Sequence, residues 1–113
     1  MHFQIEKTDN YTVIRIQVEK LDSTLAPSLK SELVVLNTDG VKNIVIDMSA
    51  TRYCDSSGLS AILVANRLCK NSEGTFVLTG LQDAVRKLVS ISQLDTILKI
   101  TPTLEEATSL IGK

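Results

Sequence analysis

Histidine and cysteine are scarce in this 113-residue chain: His2 is the only histidine, and Cys54 and Cys69 are the only cysteines. The cysteines lie far apart, form no C-x-x-C pair and have no clustered histidines, which argues against a zinc site and gives no disulfide framework. Both are expected to be reduced thiols in semi-buried positions. An excess of charge of one sign is also missing. With 12 basic and 13 acidic side chains scattered along the chain and a formal net charge of −1, there is no basic field for nucleic acid and no cationic stripe for a membrane surface.

Long hydrophobic runs are absent as well. Ile44-Val45-Ile46 is typical of the longest, and Met1-His2-Phe3-Gln4 lacks the charged start and apolar stretch of a signal peptide. A cytoplasmic protein without direct membrane insertion is expected. There is no internal repeat, linker or low-complexity stretch. What the chain does have is 43% hydrophobic residues in a length usual for one domain, so residues 1–113 are expected to form a single compact unit.

Hydrophobic periodicity divides that unit. Phe3 and Ile5 alternate with polar neighbours, Asp9-Asn10 supplies turn residues, and Ile14, Ile16 and Val18 resume the period of two, which predicts an opening hairpin. After Asp22-Ser23, which can cap a helix, Leu25, Leu29 and Leu33 recur at helical spacing, with Pro27 tolerated in the first turn and a stop before Asp39-Gly40. Residues 43–48 read as a central strand covered on both faces. A helix from about Ser57 to Lys70 follows, then a strand over Thr75 to Thr79. Val85, Leu88 and Val89 mark another helix, residues 97–101 a short strand, and Thr103-Leu104-Glu105-Glu106 a capping box opening a last helix whose apolar face holds Leu104, Ala107, Leu110 and Ile111. The predicted class is α/β, a mixed sheet in the order β-β-α-β-α-β-α-β-α with helices packed on it and right-handed crossovers.

The candidate site is Asp55-Ser56-Ser57-Gly58-Leu59, where an apolar strand gives way to a helical pattern. Hydroxyls on the first turn of a helix face unpaired N–H groups and the positive end of the macrodipole, so a phosphate added there is accommodated without unfolding. Capping by Asp55 or Ser56 is the simpler account of these residue types, Ser56 being the favoured cap. Leu59, Ile62, Leu63 and Asn66 share one side of the helix and can face the sheet, while Ala61, Val64 and Leu68 fall nearly opposite. Either neighbouring helices shield that second apolar face, or it forms a docking surface beside Ser57.

An enzyme is not expected. His2 lies in the first strand, Asp55-Ser56-Ser57-Gly58 is not a G-x-S-x-G elbow, and no general base for Ser57 is evident. Asp47 lacks the acidic pair that a magnesium-dependent phosphoaspartate site needs, and is expected to accept hydrogen bonds from the following loop. Cys54, close to the helix start, could have a lowered thiol pKa and a redox role, against the plainer role of a small buried hydrophobe.

Several blocks together resemble the STAS domain of the small bacterial anti-sigma factor antagonists: the hairpin start, Ile44-Val45-Ile46-Asp47 with Ser49, Tyr53-Cys54-Asp55-Ser56-Ser57-Gly58-Leu59, Val77-Leu78-Thr79-Gly80-Leu81 ahead of Val85, Leu94-Asp95, and the Thr103 to Ala107 helix start. The resemblance implies partner switching. The unmodified antagonist binds an anti-sigma factor that is also a serine kinase and frees the sigma factor; phosphorylation ends the contact, and a serine phosphatase restores it. On this likeness the phosphoacceptor is Ser57, with Ser56 a less favoured second site, and Asp55, Gly58 and Leu59 complete the motif. Ser56, Ser57, Ser60, Ala61, Val64 and Leu68 are the expected partner-binding residues, and no cofactor is needed because ATP belongs to the partner. The runner-up from another class is an unphosphorylated accessory subunit of a membrane transporter ATPase or of a stress-signalling scaffold.

Overall fold

The computed structural model describes residues 2–111. Strands β1 (Phe3–Lys7) and β2 (Thr12–Ile16) pair antiparallel, Phe3 opposite Ile16 and Lys7 opposite Thr12. The turn between them is closed by Thr8, whose N–H and hydroxyl both donate to the Tyr11 carbonyl at 2.8 Å. β2 then runs parallel to β4 (Ile44–Asp47), β4 to β6 (Phe76–Thr79), and β6 to β7 (Lys99–Thr101), giving the sheet order β1-β2-β4-β6-β7. As expected, β4 is central; every residue of β4 and β6 is buried, as suits parallel strands covered on both faces.

The period of two then sorts neighbouring residues onto opposite faces. Ile14, Ile44, Ile46 and Leu78 enter the larger core beneath α1 (Ala26–Thr38), α2 (Ser56–Asn71) and α3 (Asp83–Ile91), meeting Leu29, Leu33, Ile62 and Val85. Val13, Val45 and Val77 point the other way, where α4 (Leu104–Ser109) covers them with Ala107 and, just past its end, Ile111. The Thr103 hydroxyl caps α4 by accepting the Glu106 N–H, while Leu110 stays exposed.

The expected order of five long strands and four helices is present in a single α/β domain, with two additions. Two-residue strands β3 (Lys20–Leu21) and β5 (Tyr53–Cys54) form a separate parallel pair, and Leu94–Thr96 makes a 3-10 turn. The start of α1 needs correcting. Its N-cap is Leu25, without a side-chain cap bond; the Asp22 carboxylate accepts the Thr24 N–H and its carbonyl those of Leu25 and Ala26, forming a turn ahead of the helix.

The second apolar side of α2 also differs from one of its two expected roles. Ala61, Ala65 and Cys69 are buried in the larger core, because α1 lies along α2, and Val64 and Leu68 are half-buried against the same cluster. Ala61 is therefore covered within the chain and is not part of a docking surface. Of the opposite side, Leu59 and Ile62 are buried as expected, whereas Leu63 and Asn66 are only half-buried.

Candidate functional site

The short β3–β5 pair holds the motif. Both the Arg52 and Tyr53 N–H groups donate to the Glu19 carbonyl, the Thr51 hydroxyl donates to the Val18 carbonyl at 2.9 Å, and the Asp55 N–H reaches the Leu21 carbonyl at 3.3 Å. Residues 51–55 are thus lashed to residues 18–21. At Asp55 the backbone is still extended, with φ −106° and ψ −173°, and its carboxylate oxygen accepts the Gly58 N–H at 3.0 Å. Asp55, not Ser56, is the N-cap of α2, because the residue that keeps extended dihedrals just ahead of the first helical turn is the one whose side chain can fold back onto it.

Gly58 is required by packing. A Cβ added there would lie 2.4 Å from the Leu21 carbonyl oxygen and 2.5 Å from the Cys54 sulfur, so the first turn of α2 sits directly on β3. With the cap at Asp55, Ser56 and Ser57 are the first two helical residues; Ser56 is exposed, and Ser57 and Ser60 are half-buried. The two apolar motif positions face inward, Leu59 into the core and Gly58 against β3. The serines are left to line a surface.

That surface is a cleft of about 330 Å³ between the first turns of α1 and α2, bounded by Ser23, Ala26, Pro27 and Lys30 on one side and Ser56, Ser57 and Ser60 on the other. A second groove, of about 380 Å³, flanks the motif at the short strands and is lined by Lys20, Leu21, Asp22, Tyr53, Cys54 and Asp55. The Tyr53 ring is half exposed there, with the Lys20 ammonium 6.0 Å from its centroid. Neither surface holds an imidazole. Among the described residues no group of histidine, cysteine or carboxylate side chains is arranged to hold a metal ion.

Of the two readings of Cys54, the small packing hydrophobe agrees with the structure and the lowered thiol does not: the side chain packs against the larger core. Burial pushes its thiol up to about 12, and the Asp55 charge adds to the effect. Desolvation outweighs the helix terminus, so the sulfur is a protonated packing group. Burial likewise raises Cys69 to about 11. Asp47 has its expected role: it accepts the Ser49 N–H at 3.0 Å, fixing the loop after β4, and it also accepts from the Arg15 guanidinium at 3.1 Å, whose other end pairs with Glu6.

Two neighbours of the site escaped sequence reasoning. Leu21 is fully buried beneath Gly58 and Lys30 reaches the serine cleft from α1, but neither stands in a motif. Lys30 falls one helical turn after Ala26 and Pro27, a spacing that would have placed it on their side of α1 had the approach of α2 been known.

A serine-bearing helix start clamped to a short strand pair beside a five-stranded mixed sheet defines a class. The family model for the STAS domain matches residues 2–107, and the chain belongs to the STAS domain family. It is 24% identical over 102 residues to the anti-sigma-B factor antagonist of Staphylococcus aureus, covering 88% of this chain and 94% of that protein. The phosphorylated form of the Bacillus cell fate determinant SpoIIAA superposes with a TM-score of 0.74 at 26% identity, covering 95% of this chain and 96% of that one. RsbS of Moorella thermoacetica, in a serine-to-glutamate form, gives a TM-score of 0.79 at 28% identity over 96% of this chain and 93% of its own. Among the described residues no helix is long and apolar enough to cross a membrane.

Proposed function

We propose that this protein is a cytoplasmic anti-sigma factor antagonist that works by partner switching, and that Ser57 is its switch. The observation that carries the reading is the position of Ser57: it stands in the first turn of α2, open to the cleft between α1 and α2, in a helix start that Asp55 and Gly58 fix without using its hydroxyl. The unmodified protein binds an anti-sigma factor serine kinase through Ser56, Ser57, Ser60 and the half-buried edges of Val64 and Leu68, and so frees the sigma factor. The kinase then transfers the γ-phosphoryl group of ATP to the Ser57 oxygen, which loses its proton as ADP leaves. A serine phosphatase hydrolyses the ester and restores the binding form.

The chain is the substrate of this chemistry and not its catalyst. A phosphoserine carries about −1.5 to −2 charges at neutral pH, two residues along the chain from Asp55, and an interface closing over this helix start must desolvate both. A penalty of 1.4 kcal/mol already weakens binding about tenfold, so one mismatched dianion separates the partners without refolding either.

Incubation with the cognate kinase, ATP and magnesium should yield one phosphopeptide, carrying the group on Ser57. Ser57→Ala should stay bound and Ser57→Asp should bind about tenfold or more weakly by calorimetry. A phosphate mapped to another residue, or equal affinities of the two variants, would sink the reading. Copurification with a transporter ATPase while Ser57 stays unmodified would favour an accessory-subunit role in its place.

A further inference from the structure

A phosphate on Ser57 has two directions in which to lie, and the charges on the two sides differ. Toward β3 and β5 the motif borders the groove that holds Asp22 and Asp55, whose one cation, Lys20, lies over the Tyr53 ring. Toward α1 it borders the cleft in which Lys30 is the only charged residue. Lys30 is half-buried along that wall. The ion pairs among the described residues join Lys7 to Asp39 and Arg15 to Glu6 and Asp47, so the Lys30 ammonium is matched by no carboxylate. The cleft, at about 330 Å³, is many times the roughly 30 Å³ share of one water, which leaves space for a phosphoryl group with waters around it.

The geometry points to Lys30 as the residue that positions the Ser57 phosphate: the phosphoryl group turns into the cleft between α1 and α2, away from Asp55, and pairs there with the Lys30 ammonium. This rests on the reading of Ser57 as phosphoacceptor and specifies how the modified state is held. A lysine suits the task because its compact ammonium on a flexible stem meets a phosphate as a point charge. The charges around the motif are then Lys30 from α1, Asp22 from the turn ahead of α1, Asp55 at the cap of α2, and Lys20 from β3, which lies over the Tyr53 ring. Attraction on one side and repulsion on the other set one orientation. The modification in consequence takes up part of the cleft as well as adding charge, and a partner that inserts between the two helix starts is refused on both counts.

The test uses the full chain with phosphoserine installed at position 57 during translation, so that no kinase is involved. Phosphorus NMR titration reads the second ionisation of the phosphate directly. With Lys30 present this ionisation should fall at least about 0.5 pH unit below its value in Lys30→Gln, because a nearby cation favours the dianion. Lys30→Arg should restore the shift, which a merely structural role for the stem would not explain. Added salt should shrink the difference between wild type and Lys30→Gln, because screening weakens the Lys30 contribution while its other effects are common to both proteins. Identical titrations of wild type and Lys30→Gln, or a difference between them indifferent to salt, overturn the proposal. A flat titration alongside phosphopeptides mapped to Ser57 would remove Lys30 alone, whereas failure of any kinase to modify Ser57 would remove the switch and leave this titration interpretable.

Discussion

Cys54 shows at the scale of one residue how competing effects are decided. A thiol beside a helix start gains from the macrodipole when ionised, but loses more when its surroundings are apolar and the nearest charge is the Asp55 carboxylate; the result is a thiol pushed up to about 12. Since the folded value lies above the unfolded reference of 9.0, the fold favours the protonated sulfur. The associated stability is complete below pH 9 and is lost as pH rises toward 12. Cys69 contributes with the same sign up to about 11, so the comparison must isolate one site. Wild type should lose more stability than Cys54→Ala between pH 9 and 11 in urea denaturation, and Cys54 should react slowly with Ellman's reagent at pH 8. Parallel stability curves, or rapid labelling of Cys54 in the native protein, would contradict this account.

Between elements the decisive contact is α2 on β3, and Gly58→Ala tests it. Alanine is a better helix former than glycine by about 1 kcal/mol, so the helix taken alone predicts a gain. The new Cβ, however, meets the Leu21 carbonyl oxygen, a backbone atom tied down by the Asp55 N–H and unable to rotate away. Overpacking of this kind costs about 1–3 kcal/mol, so the substitution should lower stability in urea denaturation despite its better propensity. A variant as stable as wild type would mean that α2 and β3 separate easily. This contact also marks where sequence reading stopped. The long strands and the helices were legible because the alternation of β2, the apolar run of β4 and the helical spacing of α1 and α2 extend over several residues, whereas β3 and β5 have two residues each and carry no period at all. Asp55 and Ser56 are both good caps by type, and only the dihedral angles distinguish them. A helical wheel placed Ala61 opposite Leu59 but could not say that α1 would cover it, since that depends on elements distant in sequence. The same blindness hid Lys30, which becomes a neighbour of Ser57 only when α1 and α2 pack together.

Across the whole molecule the proposed switch, Ser57, lies apart from the two cores of the sheet. The radius of gyration is 12.6 Å, close to the roughly 13 Å expected for one domain of this length, so the described residues form one unit and a phosphate has no second unit among them to reposition. The cores on the two faces of the sheet are built from Ile14, Ile46 and Leu78 on one side and Val13, Val45 and Val77 on the other, while Ser57 stands at the surface end of α2. A charge added there can act on a partner without crossing either core. Phosphorylation of Ser57 should therefore leave amide exchange of β4 and β6 unchanged, because those amides open only with the global unfolding that both cores resist. Protection changes should be confined to the first turns of α1 and α2, where the phosphate bridges or repels. Partner affinity should fall at least about tenfold at the same time. If exchange in β4 and β6 instead accelerates in step with the loss of binding, the phosphate acts by loosening the fold, and a surface charge mechanism is wrong for this protein.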